Sequence, residues 1–359
     1  MNKNLHEAFI QLVQLGIGKS KNTTIPENGI SWPEIRKLAE RHGLYAVVLD
    51  GIEKLPATAR PPQEFLLEWI GEVLQGYEYR YEQYRRTIAE LAGFYNCHGY
   101  KMMVVKGYAC ATNWPKPNHR PCGDIDIWQF GQQKEADVVL EAEKGIEVDS
   151  SHHHHTVFNW GEFTVENHYD FLNVHYGHRN DEIETLLKEQ AKDDSHSIEI
   201  EGQKVYLPNA NLHALFVLRH AMHNFAATEM TLRQVLDWAF LVEKHTKEID
   251  WQWLLGILKE YKMMDFFNII NAICVEDLGF SACIFPSVQF LPSLKDRVLA
   301  DILSPEFSGE TPKNFFKRAI FKFRRWQANA WKQEMCYGDN RCKSLIEGVW
   351  SHLLKPASI

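Results

Sequence analysis

One short stretch, Gly123 to Ile127, constrains the fold more than any other part of the chain, because acidic and apolar residues alternate in it with a period of two. In a β-strand this spacing places Asp124 and Asp126 on one face and the two isoleucines on the other. Two carboxylates that close repel each other unless a cation or a shared proton lies between them. A divalent metal ion meets that need, so the stretch predicts a metal-binding strand.

A glycine-containing turn precedes this strand. Met102 to Val105 is a short apolar run that predicts a buried strand, and it ends at Lys106 and Gly107. The missing Cβ of Gly107, like that of Gly123, lets backbone come close to a ligand, and the ammonium group of Lys106 could reach an anion there. Glycines also occur at turns for conformational reasons alone, and that second interpretation stays open for both.

Three segments together resemble a known family. Lys106-Gly107, a gap, and then Arg120 to Ile127 resemble the signature of the nucleotidyltransferases of the DNA polymerase β superfamily, most closely the bacterial uncharacterised nucleotidyltransferases. Thr164 to Tyr169 resembles the second acidic strand of that branch, and Leu232 to Ala239 resembles its helical follow-on segment. The likeness extends over roughly residues 32 to 245, and its specific part is the core around the acidic strands.

The resemblance implies an enzyme that moves a nucleoside monophosphate from an NTP to a hydroxyl acceptor and releases pyrophosphate, with Mg²⁺ or Mn²⁺ as cofactor. The implied acceptor is a small molecule, a protein or an RNA. The implied catalytic and metal-binding carboxylates are Asp124, Asp126 and Glu166, and the implied nucleotide-binding residues are Lys106, Gly107, Arg120 and Gly123. Asp170 is the fallback for Glu166, which could instead be an exposed strand glutamate. Arg120 could equally serve only to neutralise the acidic residues.

One position departs from the superfamily pattern. The usual Gly-Ser pair is Gly107-Tyr108 here, so no small hydroxyl follows the glycine to hold a phosphate. The departure favours an alternative function, a non-catalytic nucleotide-binding or interaction module on the same scaffold. The three acidic positions favour the enzyme.

Histidines are concentrated in two places. His152 to His155 are consecutive, and His168 follows on a predicted strand. Zinc binding by His154 with His168 is a third interpretation, although no cysteine pair or His-Glu-x-x-His pattern supports it. His168 could orient Glu166, contact substrate or simply be a satisfied half-buried histidine. On a later predicted helix, His220 shares a face with His213 and Asn224; this face lines a pocket or makes a helix–helix contact, with Asp237 as its partner.

The hydrophobic periodicity predicts an α+β (α/β) protein. A small mixed-sheet nucleotidyltransferase core, residues 99–208, would be flanked by an N-terminal helical region, residues 1–98, and a C-terminal one, residues 209–359. Within the N-terminal region a long amphipathic run from Glu64 to Cys97 carries an aromatic stripe from Tyr77 to Tyr95, which predicts core packing.

Bulk composition limits location and partners. No apolar run reaches the length of a membrane span, no signal peptide is evident, and seven cysteines without Cys-x-x-Cys spacing indicate reduced thiols, so we expect a cytoplasmic protein with no membrane contact. A net charge of −8 argues against a broad nucleic-acid surface. One segment, Lys313 to Lys332, has seven basic residues, interleaved aromatics and no acid. It predicts either an RNA contact or an amphipathic surface helix.

Overall fold

The computed structural model describes residues 3–25, 31–174, 179–286, 292–307, 309, 312 and 314–338. Within them, one six-stranded sheet of mixed direction packs against helices on both faces. This arrangement confirms the predicted α+β class.

The helices in chain order are α1 (Lys3–Gly16), α2 (Trp32–Arg41), α3 (Tyr45–Glu53), α4 (Gln63–Val73), α5 (Arg80–Cys97), α6 (Gly107–Ala111), α7 (Gln133–Lys144), α8 (Asn180–Gln190), α9 (Ala210–Ala227), α10 (Leu232–His245), α11 (Trp251–Glu260), α12 (Met264–Ala272), α13 (Pro292–Leu303) and α14 (Phe315–Tyr337). The strands are β1 (Met103–Val104), β2 (Ile125–Trp128), β3 (His155–Trp160), β4 (Phe163–His168), β5 (Ser197–Ile200) and β6 (Gln203–Tyr206).

Capping residues fix where several helices begin. Ser31 caps α2 by accepting a hydrogen bond from the backbone N–H of Glu34, and Asn209 caps α9 by accepting one from Leu212. At the start of α10 the backbone N–H of Thr231 donates to the side-chain oxygen of Gln234 at 3.1 Å, which is one half of a capping box. These caps place α9 and α10, which border the candidate site, at defined points of the chain.

The long amphipathic run is interrupted once. A π-helical turn at Leu74–Tyr79 separates α4 from α5. Beyond it the predicted stripe is buried, with Tyr84, Ile88 and Leu91 each no more than 1% exposed. The stripe packs on the sheet, so the prediction of core packing is confirmed, and α5 contributes to the sheet's core although it precedes the predicted boundary at residue 98.

The strand order is β3-β4-β2-β1-β6-β5. β2 pairs with β4 in parallel and with β1 antiparallel, while β3–β4 and β5–β6 are antiparallel hairpins. Glu201 and Gly202, with φ of 50° and 77°, turn the second hairpin. The parallel register sets Asp126 directly beside Glu166.

The two faces of the sheet belong to two hydrophobic clusters. Ile125, Ile127 and Val165 pack on the side of α5 and α7. Trp128 and Phe216, by contrast, belong to the larger cluster formed with the N-terminal helices and with α9 to α14. Because side chains alternate along β2, Asp126 projects toward the second side, where α9 lies.

The described part of the chain has no helix that is long and apolar enough to cross a membrane. The cytoplasmic location and the three-region division stay predictions.

Candidate active site

Asp126 is the centre of the candidate site. Its side chain is buried, and its Oδ1 accepts a hydrogen bond from Lys106 Nζ at 2.8 Å and lies 2.9 Å from His168 Nε2. The other ring nitrogen of His168, Nδ1, lies 3.1 Å from the carbonyl oxygen of Asp170. Carboxylate and carbonyl oxygens only accept hydrogen bonds, so a His168 ring protonated at both nitrogens satisfies both of these contacts.

The two cations determine the charge state of Asp126. Burial opposes ionisation, but the charge of Lys106 and the hydrogen bond from His168 together hold the pKa of Asp126 well below its usual value. The pKa of His168 is raised despite its burial and the charge of Lys106, because Asp126 and Glu166 stabilise the protonated ring. The sequence predicts that a cation or a shared proton separates the two crowded carboxylates. Within the described residues, Lys106 and His168 offset the negative charge of Asp126.

The other two predicted carboxylates lie on either side of Asp126. Glu166 Oε2 is 3.5 Å from His168 Nε2, so one histidine ring contacts two acids. Asp124 is more exposed and faces the cleft. Partial desolvation and the charges of Asp126 and Glu166 raise its pKa. Asp170, the fallback, pairs with Lys188 instead.

Lys106 reaches Asp126 from a strained backbone position. Its φ of 45° and ψ of −111° lie where a non-glycine residue is rarely found. Such strain costs on the order of 1–3 kcal/mol and concentrates at functional sites. The cation and the start of α6 therefore meet at a position that the surrounding structure has to enforce.

Gly107 has a packing reason that the sequence did not reveal. A Cβ added there would lie 2.7 Å from the hydroxyl oxygen of Tyr84, which donates a 2.7 Å hydrogen bond to the carbonyl of Asp124. Gly123 has neither a positive φ nor any atom within 4 Å of an added Cβ. Only Gly107 is thus sterically required, and Tyr84 is the residue that requires it.

Arg120 is held in a buried ion pair. Its Nε and Nη2 donate to the two carboxylate oxygens of Asp237 at 2.8 and 3.0 Å, and Trp114 Nε1 donates to the same carboxylate at 2.9 Å. The charge of Arg120 lowers the pKa of Asp237 despite its burial. Arg120 therefore neutralises Asp237 rather than Asp124 and Asp126.

The expectation that Asp237 partners the histidines of α9 is corrected by this pairing. His220 contacts Asn224 on its own helix, with 3.2 Å between ring and amide nitrogens. His213 Nε2 lies 3.5 Å from the thiol of Cys110. Burial lowers the pKa of both histidines to about 3, so both rings are neutral.

These residues border a cleft of about 210 Å³ between the carboxyl end of β1, the start of β2 and the helices α9 and α10. Its lining includes Lys106, Asp124, Asp126, His220 and Arg233. Sequence reasoning did not identify Arg233 as a site residue, although it lies in the segment that resembles the family's helical follow-on. Among the described residues Arg233 has no ion pair, and burial and the charge of Arg120 lower its pKa.

The histidine run, His152 to His155, lies next to Glu166. His155 Nε2 is 3.8 Å from Glu166 Oε1, and His155 faces His168 across the β3–β4 pair. Burial lowers the pKa of His154 to about 2 and that of His155 to about 4. Both rings are therefore neutral near pH 7, whereas the pKa of His168 is raised.

The basic segment at the C-terminus is mostly α14. Lys317, Arg318 and Arg324 are exposed, and Phe323 is 52% exposed. The opposite end of the helix is anchored, since the buried Lys332 pairs with Asp301. Lys313 and the side chains of residues 315 and 316 lie outside the described residues. The RNA contact stays a prediction.

Comparison with known proteins places this site in a family. Residues 28–279 match the family model described as "Uncharacterised nucleotidyltransferase". The chain belongs to this family. A comparison with curated proteins gave no significant match. One solved structure, an antigenic nucleotidyltransferase-like protein from Paracoccidioides brasiliensis, is similar at 13% identity over 49% of this chain and 87% of that chain, with a TM-score of 0.33.

The family predicted from the sequence is therefore confirmed. The match covers the whole site, from Lys106 to Asp237, and membership supports nucleotidyl transfer as the general activity. The roles of Asp124, Asp126, Glu166, Lys106, Gly107, Arg120, Gly123, His168 and His220 stay predictions.

Proposed function

We propose that the protein is a divalent-metal-dependent nucleotidyltransferase that transfers a nucleoside monophosphate from an NTP to a hydroxyl acceptor and releases pyrophosphate. The observation that carries the proposal is the convergence of Asp124, Asp126 and Glu166 on one face of two adjacent parallel strands, beside a cleft that contains cations. A separate helix pair, α9 and α10, closes the other side of that cleft.

The carboxylates fit the metal that the family implies. Ligand atoms of Asp126, Glu166 and His168 lie within 4.8 Å of one another, and Asp124 stands two residues before Asp126 on the cleft side. Oxygen ligands of this kind suit Mg²⁺ or Mn²⁺. When bound, the ions would activate the attacking oxygen and neutralise phosphate charge. Lys106 donates a hydrogen bond to one oxygen of Asp126, so its ammonium would move aside or share that carboxylate with a bound ion.

Positive charge for the phosphates comes from Lys106 and Arg233 in this proposal. Both border the cleft, and Arg233 has no carboxylate partner among the described residues. A guanidinium without an internal partner is free to bind phosphate oxygens through paired N–H groups. Asp237 accepts hydrogen bonds from Nε and Nη2 of Arg120, and the carbonyl of Pro121 accepts one from Nη1 at 3.3 Å, so the contribution of Arg120 is to position the start of β2 and to add long-range positive potential.

In this proposal Glu166 removes the proton from the acceptor hydroxyl. Its carboxylate contacts His168, which also contacts Asp126, so a single ring fixes the relative positions of two acids. A carboxylate within hydrogen-bond reach of an acceptor hydroxyl can act as general base. In this proposal His220, which is neutral and lines the cleft, would contact the base or the acceptor.

One observation favours the second candidate function, a nucleotide-binding module without catalysis. Tyr108 is 5% exposed and stacks on Tyr81 with 6.0 Å between ring centroids, so its hydroxyl belongs to the core beneath α6. The small hydroxyl found at this position in the superfamily thus has no equivalent at Tyr108. The remaining cations, Lys106 and Arg233, would have to hold the triphosphate alone.

The test asks which phosphate of the NTP is transferred to the acceptor. The protein is incubated with Mg²⁺, cell extract and each NTP, labelled with ³²P either at the α-phosphate or at the γ-phosphate. The acceptor is sought by separating labelled macromolecules from labelled small molecules. We expect one NTP to label an acceptor from its α-phosphate and no NTP to do so from its γ-phosphate. Label from the γ-phosphate would indicate a kinase instead, and nucleotide binding without any transfer would support the non-catalytic module.

Two variants make the test specific to this site. Asp126→Asn, which loses a ligand for a hard cation, should give no transfer. Arg233→Gln should weaken NTP binding at least ~10-fold, as expected for a lost charge-assisted contact, with no loss of stability because Arg233 and Arg120 repel each other. Transfer by Asp126→Asn at the parent rate, or unchanged NTP affinity in Arg233→Gln, would contradict the assignment.

A further inference from the structure

Three histidines form a compact cluster of imidazole rings next to the carboxylates. Ligand nitrogens of His154, His155 and His168 all lie within 4.8 Å of one another. His155 and His168 face each other in the antiparallel β3–β4 pair, and their ring centroids are 5.2 Å apart. The ring of His154 lies 4.3 Å from that of His155 and 5.7 Å from that of His168.

Backbone hydrogen bonds hold this cluster in place. The carbonyl oxygen of His154 accepts hydrogen bonds from the N–H groups of Tyr169 and Asp170, both at 3.0 Å. The hydroxyl of Tyr169 donates to the carbonyl of His152 at 2.8 Å. The end of the histidine run is therefore fastened to the end of β4, and its rings are presented by a sheet edge rather than by an unsupported loop.

Two ring nitrogens of the cluster lack a partner. The Nδ1 atoms of His154 and of His155 are buried and make no hydrogen bond within the described part of the chain, and His155 as a whole is only 7% exposed. An unsatisfied buried polar atom is costly and calls for an explanation, such as an ion. The second nitrogen of His155, Nε2, points away from Nδ1 and lies 3.8 Å from Glu166 Oε1, so Glu166 would orient the ring for an ion bound at Nδ1.

We propose that His154, His155 and His168 bind a divalent transition-metal ion of the zinc class, which displaces the proton from His168 Nε2, while Glu166 supports the ring of His155. Imidazole nitrogen is a preferred ligand for zinc, copper and nickel, whereas magnesium prefers oxygen. Three imidazoles and one open position also match zinc sites that have three protein ligands. The site does not depend on the proposed transfer reaction. Since His168 and Glu166 also lie beside Asp126, an ion here is coupled to the candidate active site.

Calorimetric titration with ZnCl₂ in excess Mg²⁺, on full-length protein without an affinity tag and without nucleotide, tests the proposal. We expect one Zn²⁺ per chain. His154→Ala with His155→Ala should weaken binding by more than ~100-fold, because loss of a supporting partner alone typically costs 10–100-fold. The matched control, His152→Ala with His153→Ala, removes two histidines of the same run that lie outside the three-ligand cluster and should bind Zn²⁺ as the parent does.

X-ray absorption at the zinc edge of the parent protein gives a readout that does not depend on how the variants fold. It should show imidazole nitrogens at ~2.0–2.1 Å and no sulfur at ~2.3 Å. A sulfur shell would place the ion on cysteines, of which Cys97 and Cys283 are exposed. A sulfur shell would overturn the proposal. So would the absence of stoichiometric Zn²⁺ binding, an equal loss of binding in the control variant, or binding that persists in His154→Ala with His155→Ala.

Discussion

Replacing Arg120 by methionine distinguishes a structural cation from a phosphate-binding one. Arg120 and Asp237 are 7% and 5% exposed, so Arg120→Met leaves a carboxylate buried without its partner. Removing one member of a buried ion pair costs about 3–5 kcal/mol. The charge of Arg233 also acts on Asp237, which places the expected loss near the lower end, about 3 kcal/mol.

A second substitution should recover much of that loss. In Arg120→Met with Asp237→Asn the buried charge is gone, while the amide oxygen can still accept the hydrogen bond that Trp114 donates. We expect the double variant to be more stable than Arg120→Met by roughly 1–2 kcal/mol, the unsatisfied-charge part of the cost. The surface pair Arg86–Glu201, with side chains 68% and 45% exposed, provides the control, and Arg86→Met should be close to neutral.

Urea unfolding at pH 7, followed by circular dichroism, measures the free energy of unfolding of all four proteins, and NTP titration measures binding. The reasoning predicts a large stability loss in Arg120→Met and its partial rescue in the double variant. If Arg120→Met lost less than ~1 kcal/mol of stability, below the range for a broken buried pair, while its NTP affinity collapsed, Arg120 would be a phosphate ligand and this interpretation of the pair would be refuted.

Three further predictions test the packing and charge around the site. Gly107→Ala should destabilise the protein by about 1–3 kcal/mol through overpacking against Tyr84, whereas Gly123→Ala should be nearly neutral. Adding Tyr84→Phe to Gly107→Ala should restore part of the lost stability. Thermal melts of these three variants and the parent test this, and equal effects at both glycines would contradict it. Without divalent metal, Asp126→Asn should lower the free energy of unfolding, because Lys106 and His168 lose the acid that they share. Asp124→Asn should not lower it, since burial and the neighbouring acids already raise the pKa of Asp124. Urea unfolding curves in which both variants change the free energy of unfolding in the same direction would refute this. His119 Nδ1 and Nε2 lie 2.7 and 3.0 Å from Asp50 and Glu78, and these acids raise the pKa of His119 despite its burial. The stabilisation from protonated His119 is therefore complete below pH ~6.5 and disappears as the pH rises through the raised pKa. The free energy of unfolding should fall from pH 6 to pH 9 more steeply in the parent than in His119→Gln, and parallel pH profiles would rule out this role of His119.

Local sequence determined the elements and the family. Period-two alternation predicted β2, and the resemblance at Thr164 to Tyr169 predicted the acidic strand that the structure has at Phe163–His168. Helical spacing predicted the helix that carries His220, because this signal lies within a few residues of the chain. The family followed from motif order along the chain, which needs no knowledge of contacts.

Tertiary structure alone decided which charges meet. Arg120 and Asp237 are 117 residues apart, Lys106 and Asp126 are 20 apart, and His168 lies on a third segment, so no spacing rule connects them. The sequence offered Lys106 and Arg120 equally as phosphate cations, and only the fold paired each with an acid and left Arg233 without one. The physical reason is that strand register and helix packing bring distant residues within ångströms, and the ionisation of a buried group depends on those neighbours rather than on its own identity.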